Sequence, residues 1–143
     1  MRKKTRALIV DLDGTLAIFD GVRNGLDFSD VTKDKVNEVV KEVLIMYKRY
    51  DKRRKILIIS GRPNTKEVYQ QTLFWLKKNQ IPFDKLFLVD REGLPDAENK
   101  KFFYQTKIKN KYYIDFILED RNSVVKMWRE IGLVCFQVAE TNY

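Results

Sequence analysis

The sequence of 143 residues contains no histidine and a single cysteine. The absence of histidine excludes histidine bases, phosphohistidine and histidine metal ligands, so carboxylates, lysines and hydroxyl groups must carry any chemistry. One cysteine cannot form an internal disulfide, and the position of Cys135 inside an apolar run predicts a buried, inert thiol. We therefore expect a reducing compartment: the cytoplasm, or the host cytoplasm if the protein is viral.

Long apolar stretches are also missing from the sequence. The basic start of the chain is followed by the apolar run Ala7 to Val10, which is too short for a signal peptide. No segment approaches the length of a membrane span, so we expect no membrane partner. The chain has no Gly-x-x-x-x-Gly-Lys-Ser/Thr phosphate loop, which excludes a P-loop kinase activity within it.

The charge is strongly basic. There are 28 lysines and arginines against 20 aspartates and glutamates, which gives a net charge of +8. A basic protein attracts polyanions, and nucleic acid is the first candidate, although a basic surface that only promotes solubility explains the charge equally well. The length suits one domain, so we expect residues 1–143 to form a single domain with one active site.

Short apolar runs alternate with helical patterns along the chain. The runs lack the alternation of a half-exposed strand, which predicts strands buried on both faces of a parallel sheet. We expect an α/β, three-layer, Rossmann-like fold with a five-stranded, mainly parallel sheet. The predicted strands contain Ala7 to Val10, Ile56 to Ile59, Leu86 to Val89, Phe116 to Leu118 and Leu133 to Val138.

Helical periodicity predicts four helices between these strands. They run from Thr32 to Tyr50, from Asn64 to Lys78, from about Asp96 to Lys109, and from Ser123 to Ile131. Asn64 and Glu67 have the spacing of a capping box at the start of the second helix. The apolar face of the first helix comprises Val36, Val39, Val40, Val43, Leu44 and Tyr47, and we expect this face to be buried.

Two carboxylates follow the first predicted strand. Asp11 comes directly after the run, and Asp13 can share its side of the chain because a strand repeats every two residues. Such a pair can divide the work of phosphoryl transfer, since one carboxylate attacks phosphorus while the other exchanges protons with the leaving oxygen and water. Gly14 lets the backbone turn close to a phosphate, and Thr15 offers a hydroxyl group.

Polar side chains also follow two other strands. Ser60 and Arg62 can bind phosphate oxygens, and Glu119-Asp120 adds an acidic pair. Converging carboxylates near a phosphate repel one another, so we expect a hard cation such as Mg²⁺. Each segment alone resembles an ordinary turn. Their succession after three buried strands is what favours one phosphate site at the carboxyl edge of the sheet.

In this order the motifs resemble those of the haloacid dehalogenase (HAD) superfamily of phosphatases. The resemblance implies a HAD-like fold in which Asp11 forms an aspartyl-phosphate, Asp13 is the acid/base and Ser60 holds the phosphoryl group. It further implies Mg²⁺ bound by Asp11, the backbone carbonyl of Asp13 and Asp120, with Glu119 nearby. Glu119 stands where this superfamily commonly has aspartate.

The lysine of this superfamily has several candidates here. Lys100, Lys101, Lys107 and Lys109 all lie in the expected interval. The segments Ser60-Gly61-Arg62 and Leu118 to Arg129 are similar to the 3'-phosphatase domain of phage polynucleotide kinase-phosphatase, whose Asp-x-x-x-Lys pattern falls on Asp96 and Lys100. That likeness implies that Lys100 is the catalytic lysine, with an exposed helix lysine as the alternative. It also makes Arg23 and Arg62 candidates for binding the phosphate or sugar of a nucleotide.

The spacing between motifs leaves no room for a cap domain. Gly14 to Val31 is mostly one loop, and Ser60 to Lys100 holds one helix and one strand. An uncapped site admits the end of a polymer more readily than it encloses a metabolite. With the resemblance and the basic charge, this predicts a polynucleotide 3'-phosphatase acting on DNA or RNA ends.

Two alternative functions stay open. One is an uncapped phosphatase for nucleotides or sugar phosphates, closed by a neighbouring subunit in a homo-oligomer. The other is a nucleic-acid-binding module on a degenerate phosphatase scaffold.

Overall fold

The main sheet of the computed structural model has five strands in the order β5-β4-β1-β6-β7. All neighbouring strands pair in parallel, and the five predicted strands are confirmed. The structure describes residues 3–91 and 93–141. The strands are β1 (Thr5–Val10), β2 (Ala17–Ile18), β3 (Lys35–Val36), β4 (Lys55–Ser60), β5 (Lys85–Leu88), β6 (Tyr112–Arg121) and β7 (Cys135–Thr141), with β2 and β3 forming a separate antiparallel pair.

Helices cover both faces of the main sheet, which confirms the three-layer fold. Alternate residues of β1 point to opposite faces, Leu8 with α1 and α2, and Ile9 with α3 and α4. Trp75 and Trp128 are fully buried, one in each of these two cores. The helices are α1 (Glu38–Tyr50), α2 (Lys66–Lys78), α3 (Asp96–Phe103), which continues as a π-helical turn over Tyr104–Ile108, and α4 (Asn122–Glu130).

The predicted start of the first helix at Thr32 is wrong. The chain forms strand β3 before α1 begins at Glu38, and Asn37 caps the helix by accepting a hydrogen bond from the Val40 backbone N–H at 3.4 Å. The pairing of β3 with β2 overrides the helical periodicity of this segment. Val39, predicted on the buried face, is 74% exposed.

The predicted N-cap of the second helix is wrong by one residue. Thr65, not Asn64, precedes α2, and its hydroxyl oxygen accepts a hydrogen bond from the Val68 backbone N–H at 3.2 Å. A β-region backbone at Thr65 brings its short side chain over the first helical turn, as N-cap geometry requires.

The sheet order places the site at the carboxyl end of β1. Strand β4 lies on one side of β1 and β6 lies on the other, so the strand order reverses there, which is where ligands bind in such sheets. The largest excursion near this edge in residues 3–91 and 93–141 is the loop that carries the β2–β3 pair, so the described chain has no cap domain. Among these residues, none of the helices is both long and apolar enough for a membrane span.

Candidate active site

Three carboxylates meet at the carboxyl edge of the sheet. Oxygens of Asp11, Glu119 and Asp120 all lie within 4.8 Å of one another, and all three residues are buried. The strands position them: the Asp11 backbone N–H donates to the Leu118 carbonyl of β6 at 3.1 Å, which joins the end of β1 to the acidic pair. Burial raises the pKa of Asp11 and raises that of Glu119 well above its ordinary value, and the neighbouring carboxylates add to both shifts.

This cluster fits a divalent cation. The Asp120 Oδ2 atom is buried and has no hydrogen-bond partner. Gly14 lies directly against the same carboxylate, since a Cβ atom at this position would overlap it. A buried carboxylate oxygen without a donor, next to two further carboxylates, is the oxygen-rich ligand set that Mg²⁺ prefers. The Asp13 side chain lies outside the cluster, so its part in metal binding stays a prediction that concerns its backbone carbonyl.

Lys100 is buried in the middle of the acidic residues. Its ammonium group donates to Asp11 Oδ1 at 2.9 Å and to Glu119 Oε2 at 3.0 Å, and it lies 3.4 Å from Asp96 Oδ2. Burial lowers the pKa of this lysine, but the surrounding carboxylates outweigh burial and raise it well above its ordinary value. Lys100 is 1% exposed, whereas the other three candidate lysines are exposed. We call Asp11, Glu119, Asp120 and Lys100 the acidic half of the site.

Thr15 supports the acidic half from beneath. Its hydroxyl donates to Asp120 Oδ1 at 3.0 Å and lies 3.4 Å from Asp11 Oδ2. The residue is fully buried and does not line the cavity. The structure therefore places the predicted substrate-binding hydroxyl on the two carboxylates.

Ser60 ends β4 beside Asp11 at the same sheet edge. It is buried, and its hydroxyl oxygen accepts a hydrogen bond from the Arg62 backbone N–H at 3.1 Å. That bond holds the turn after β4 and directs Arg62 back towards the site. The hydroxyl hydrogen of Ser60 is the donor that the predicted contact with a phosphoryl group requires, but Ser60 does not line the cavity, so this contact stays a prediction.

Asp13 belongs to a different cluster, which contains two arginines. Arg62 donates a bidentate pair of hydrogen bonds to the Asp13 carboxylate, from Nε to Oδ2 at 3.0 Å and from Nη2 to Oδ1 at 2.8 Å. Arg23 Nη2 donates to Oδ1 at 2.6 Å. Burial raises the pKa of Asp13, but the hydrogen bonds and charges of the two arginines outweigh it and lower the pKa below its ordinary value. In this structure both predicted nucleotide-binding arginines hold the predicted acid/base residue.

Asp34 completes this cluster and was missed by the sequence analysis. Its fully buried carboxylate accepts hydrogen bonds from Arg23 at 2.9 and 2.8 Å and from Arg62 at 3.2 Å. Trp75 holds the same residue from the other side, because its indole N–H donates to the Asp34 backbone carbonyl at 2.7 Å. We call Asp13, Asp34, Arg23 and Arg62 the arginine half of the site. Asp34 had no motif signal because it lies in the segment predicted as helix.

A cavity of about 200 Å³ lies between the two halves. Asp11, Asp13, Glu119 and Asp120 line it, while Lys100 and the two arginines lie behind these carboxylates. A carboxylate directly after β1, a second carboxylate two residues on and a buried acidic pair, all on a parallel α/β sheet, indicate the class of protein to which this chain belongs. It is a phosphatase of the haloacid dehalogenase type, a phosphoric monoester hydrolase.

Comparison with known proteins places the chain more narrowly. The family model described as the polynucleotide kinase PNKP phosphatase domain matches residues 5–143. The chain belongs to this family. The predicted resemblance is therefore confirmed at the level of the family.

Solved structures agree with this family. A chain in the structure of the Pnkp1/Rnl/Hen1 RNA repair complex is 37% identical over 98% of this chain, with a TM-score of 0.88. A chain in another structure of the Pnkp1/Rnl/Hen1 complex is 34% identical over 99% of this chain, also with a TM-score of 0.88. This chain spans only 44% and 49% of the length of those two chains.

A more distant structure shares the fold alone. The HAD domain of the effector protein Lem4 from Legionella pneumophila is 16% identical, with a TM-score of 0.57. The match covers 97% of this chain and 88% of that one.

Proposed function

We propose that the chain removes the 3'-phosphate from DNA or RNA ends in a Mg²⁺-dependent reaction that starts at Asp11. The observation that carries this proposal is the position of Asp11. It shares the buried ammonium group of Lys100 with Glu119 and lies beside the acidic pair Glu119-Asp120, on the floor of an open cavity. Burial raises the pKa of this carboxyl group, and the Lys100 ammonium group opposes that effect by favouring the ionised form, which is the form that attacks phosphorus.

The first step transfers the phosphoryl group to Asp11. One carboxylate oxygen of Asp11 attacks phosphorus; Oδ1 accepts a hydrogen bond from Lys100, and Oδ2 lies 3.4 Å from the Thr15 hydroxyl. The bond between phosphorus and the 3'-oxygen breaks, and Asp13 donates a proton to that oxygen as it leaves. A phosphate placed beside Asp13 raises the pKa of its carboxyl group through like-charge repulsion, which opposes the effect of the arginines.

The second step releases phosphate. Asp13, now ionised, takes a proton from water, the water oxygen attacks phosphorus, and the bond to Asp11 breaks, which restores the carboxylate. Mg²⁺ held by Asp11 and the Glu119-Asp120 pair, together with the Asp13 backbone carbonyl, would neutralise negative charge on the phosphate. We assign the Ser60 hydroxyl and the Lys100 ammonium group to holding the phosphoryl oxygens during both steps, which requires both groups to reach the phosphate from behind the residues that line the cavity.

Four observations favour a nucleic acid end over a small metabolite. The cavity of about 200 Å³ is below the about 300–1,000 Å³ typical of pockets that enclose a small ligand. The described chain has no cap to exclude water. The net charge of +8 favours a polyanion, and two related chains come from Pnkp1/Rnl/Hen1 structures, one of them described as an RNA repair complex.

The proposal is tested by comparing substrates. Purified protein with Mg²⁺ is incubated with 3'-phosphorylated DNA and RNA oligonucleotides and, separately, with glucose 6-phosphate, and released phosphate is measured. We expect release from at least one type of oligonucleotide and little from the sugar phosphate. Activity on the sugar phosphate without activity on either oligonucleotide would overturn the proposal. A molecular mass showing a monomer would count against the alternative of a site closed by a second subunit.

A further inference from the structure

Apolar side chains form the mouth of the cavity, above its charged floor. Leu26 and Phe28 from the loop between β2 and β3 line one wall, and Leu94 from the loop after β5 lines another. Leu26 is 79% exposed and Leu94 is 40% exposed. Large apolar side chains held in water beside a phosphate-type site indicate contact with a ligand.

Hydrogen bonds between side chains and the loop backbone hold the wall that contains Leu26 in place. Arg23 donates to the carbonyls of Asn24, Gly25 and Asp27 at 3.4, 3.4 and 3.2 Å, and the Leu26 N–H donates to the Asn24 side chain at 2.9 Å. The same guanidinium binds Asp13. The loop that presents Leu26 is thus joined to the predicted acid/base residue through one side chain.

The Leu94 wall is also braced. The Leu94 N–H donates to the Arg91 carbonyl at 3.1 Å, which closes a turn, and the Asn99 side chain donates to the Leu94 carbonyl at 3.4 Å. Arg91 stacks over the ring of Phe102, with its guanidinium carbon 4.2 Å from the ring centroid. Asn99 precedes Lys100 in α3, so this wall is tied to the acidic half.

We propose that Leu26, Phe28 and Leu94 bind the base of the 3'-terminal nucleotide while its phosphate lies on the floor. This inference rests on the proposed function and goes beyond it by assigning a base-binding subsite. The cavity is too small to enclose the nucleoside. When the 3'-phosphate lies on the floor, the attached nucleoside must therefore extend through the mouth, where these three side chains lie. Aliphatic side chains contact the apolar face that every base has, so the subsite should accept all four bases.

The test compares oligonucleotides that end in a normal 3'-phosphorylated nucleotide with matched oligonucleotides whose terminal sugar lacks its base. The wild type should prefer the base-bearing end by roughly fivefold or more in kcat/KM, because partial burial of two leucines contributes on this order. Leu26→Ser and Leu94→Ser should each reduce that preference, and the double variant should abolish it. Both positions are exposed, so the substitutions should not disturb folding. Phe74→Ser, at an exposed apolar position on α2, is the matched control and should keep the preference.

The outcomes separate this subsite from the proposed function. Release of phosphate from both oligonucleotides without a preference in the wild type would overturn the base-binding subsite and leave the proposed function standing. A preference that persists in the double variant would also overturn it. No release from either oligonucleotide would overturn the proposed function, and the subsite with it.

Discussion

The two halves of the site differ in how their charges are balanced. The acidic half has three carboxylates and one ammonium group, which pairs with Asp11 and Glu119, whereas in the arginine half two carboxylates face two guanidinium groups. The pKa shifts follow this difference: those of Asp11 and Glu119 are raised, and that of Asp13 is lowered. The acidic half therefore has an excess of carboxylates that a cation from outside would balance, while the charges of the arginine half balance one another.

This difference assigns the two halves different tasks. In the proposed function the unbalanced cluster of buried carboxylates would hold a cation, whose charge would attract the phosphate. A balanced cluster is a rigid support, and here it fixes the orientation of Asp13 at the cavity wall. We expect substitutions in the acidic half to remove chemistry and substitutions in the arginine half to remove positioning and stability.

The largest effect is expected for Asp11→Asn. The amide cannot attack phosphorus, so phosphate release from a 3'-phosphorylated oligonucleotide should fall by roughly 10³-fold or more. Steady-state phosphate release measures this effect, with Asp20→Asn as a control because Asp20 is exposed and lines no part of the cavity. Activity within tenfold of the wild type would show that Asp11 is not the nucleophile.

A smaller loss of activity is expected for Asp34→Asn, which breaks the arginine half without touching the cavity. Two buried guanidinium groups would then share one carboxylate, so the free energy of unfolding should fall by about 3 kcal/mol. The rate should fall about tenfold through misplacement of Asp13. Urea denaturation and steady-state kinetics measure the two effects. If Asp34→Asn lowers the free energy of unfolding but leaves the rate of phosphate release and its dependence on pH unchanged, Asp34 has only a structural role.

These predictions show where sequence reasoning succeeded and where it stopped. The strands and the residues at their ends were predictable because uninterrupted apolar runs end in polar groups, and the parallel sheet then brings those ends together. Asp34 and strand β3 were not predictable, because the segment has helical periodicity. Its actual structure depends on the pairing of β3 with β2 and on the contacts of Asp34 with Arg23, Arg62 and Trp75. The residues alone left four candidates for the catalytic lysine, and the family resemblance was needed to select Lys100.

Mg²⁺ should stabilise the acidic half measurably. A cation at a hundredfold its Kd contributes about 2.7 kcal/mol, which should raise the Tm of a chain of this size by roughly 5–10 °C. Thermal unfolding of the wild type with and without Mg²⁺ measures the shift. Asp120→Asn should remove most of it and Asp34→Asn should retain it. Equal shifts in all three proteins would place the cation elsewhere.

The pH dependence of stability should have opposite signs in the two halves of the metal-free protein. The raised pKa of Glu119 means that its ionised form destabilises the fold, so Glu119→Gln should gain stability relative to the wild type as pH rises. The lowered pKa of Asp13 gives stability that is full above about pH 4 and lost below it. Asp13→Asn should therefore be less stable than the wild type at pH 7, with a difference that shrinks in acid. Urea denaturation between pH 3 and about pH 8 tests both trends.

The smallest effect concerns Cys135 next to the acidic half. Burial, with the charge of Glu119, raises the pKa of this thiol to about 12, and the side chain is 5% exposed. The thiolate is the reactive form, so iodoacetamide should not label the folded protein at pH 8 and should label it fully in urea. Mass spectrometry measures the labelling. Labelling of the folded protein would show that β7 opens and exposes the core beside Glu119.

The most direct test of the account compares two oligonucleotides of the same sequence, one with a 3'-phosphate and one with a 5'-phosphate. In Mg²⁺ the account predicts that the wild type releases phosphate from the 3' end at least about a hundredfold faster, in kcat/KM, and that Asp11→Asn releases it from neither. Equal rates at both ends, or a preference for the 5' end, would contradict it.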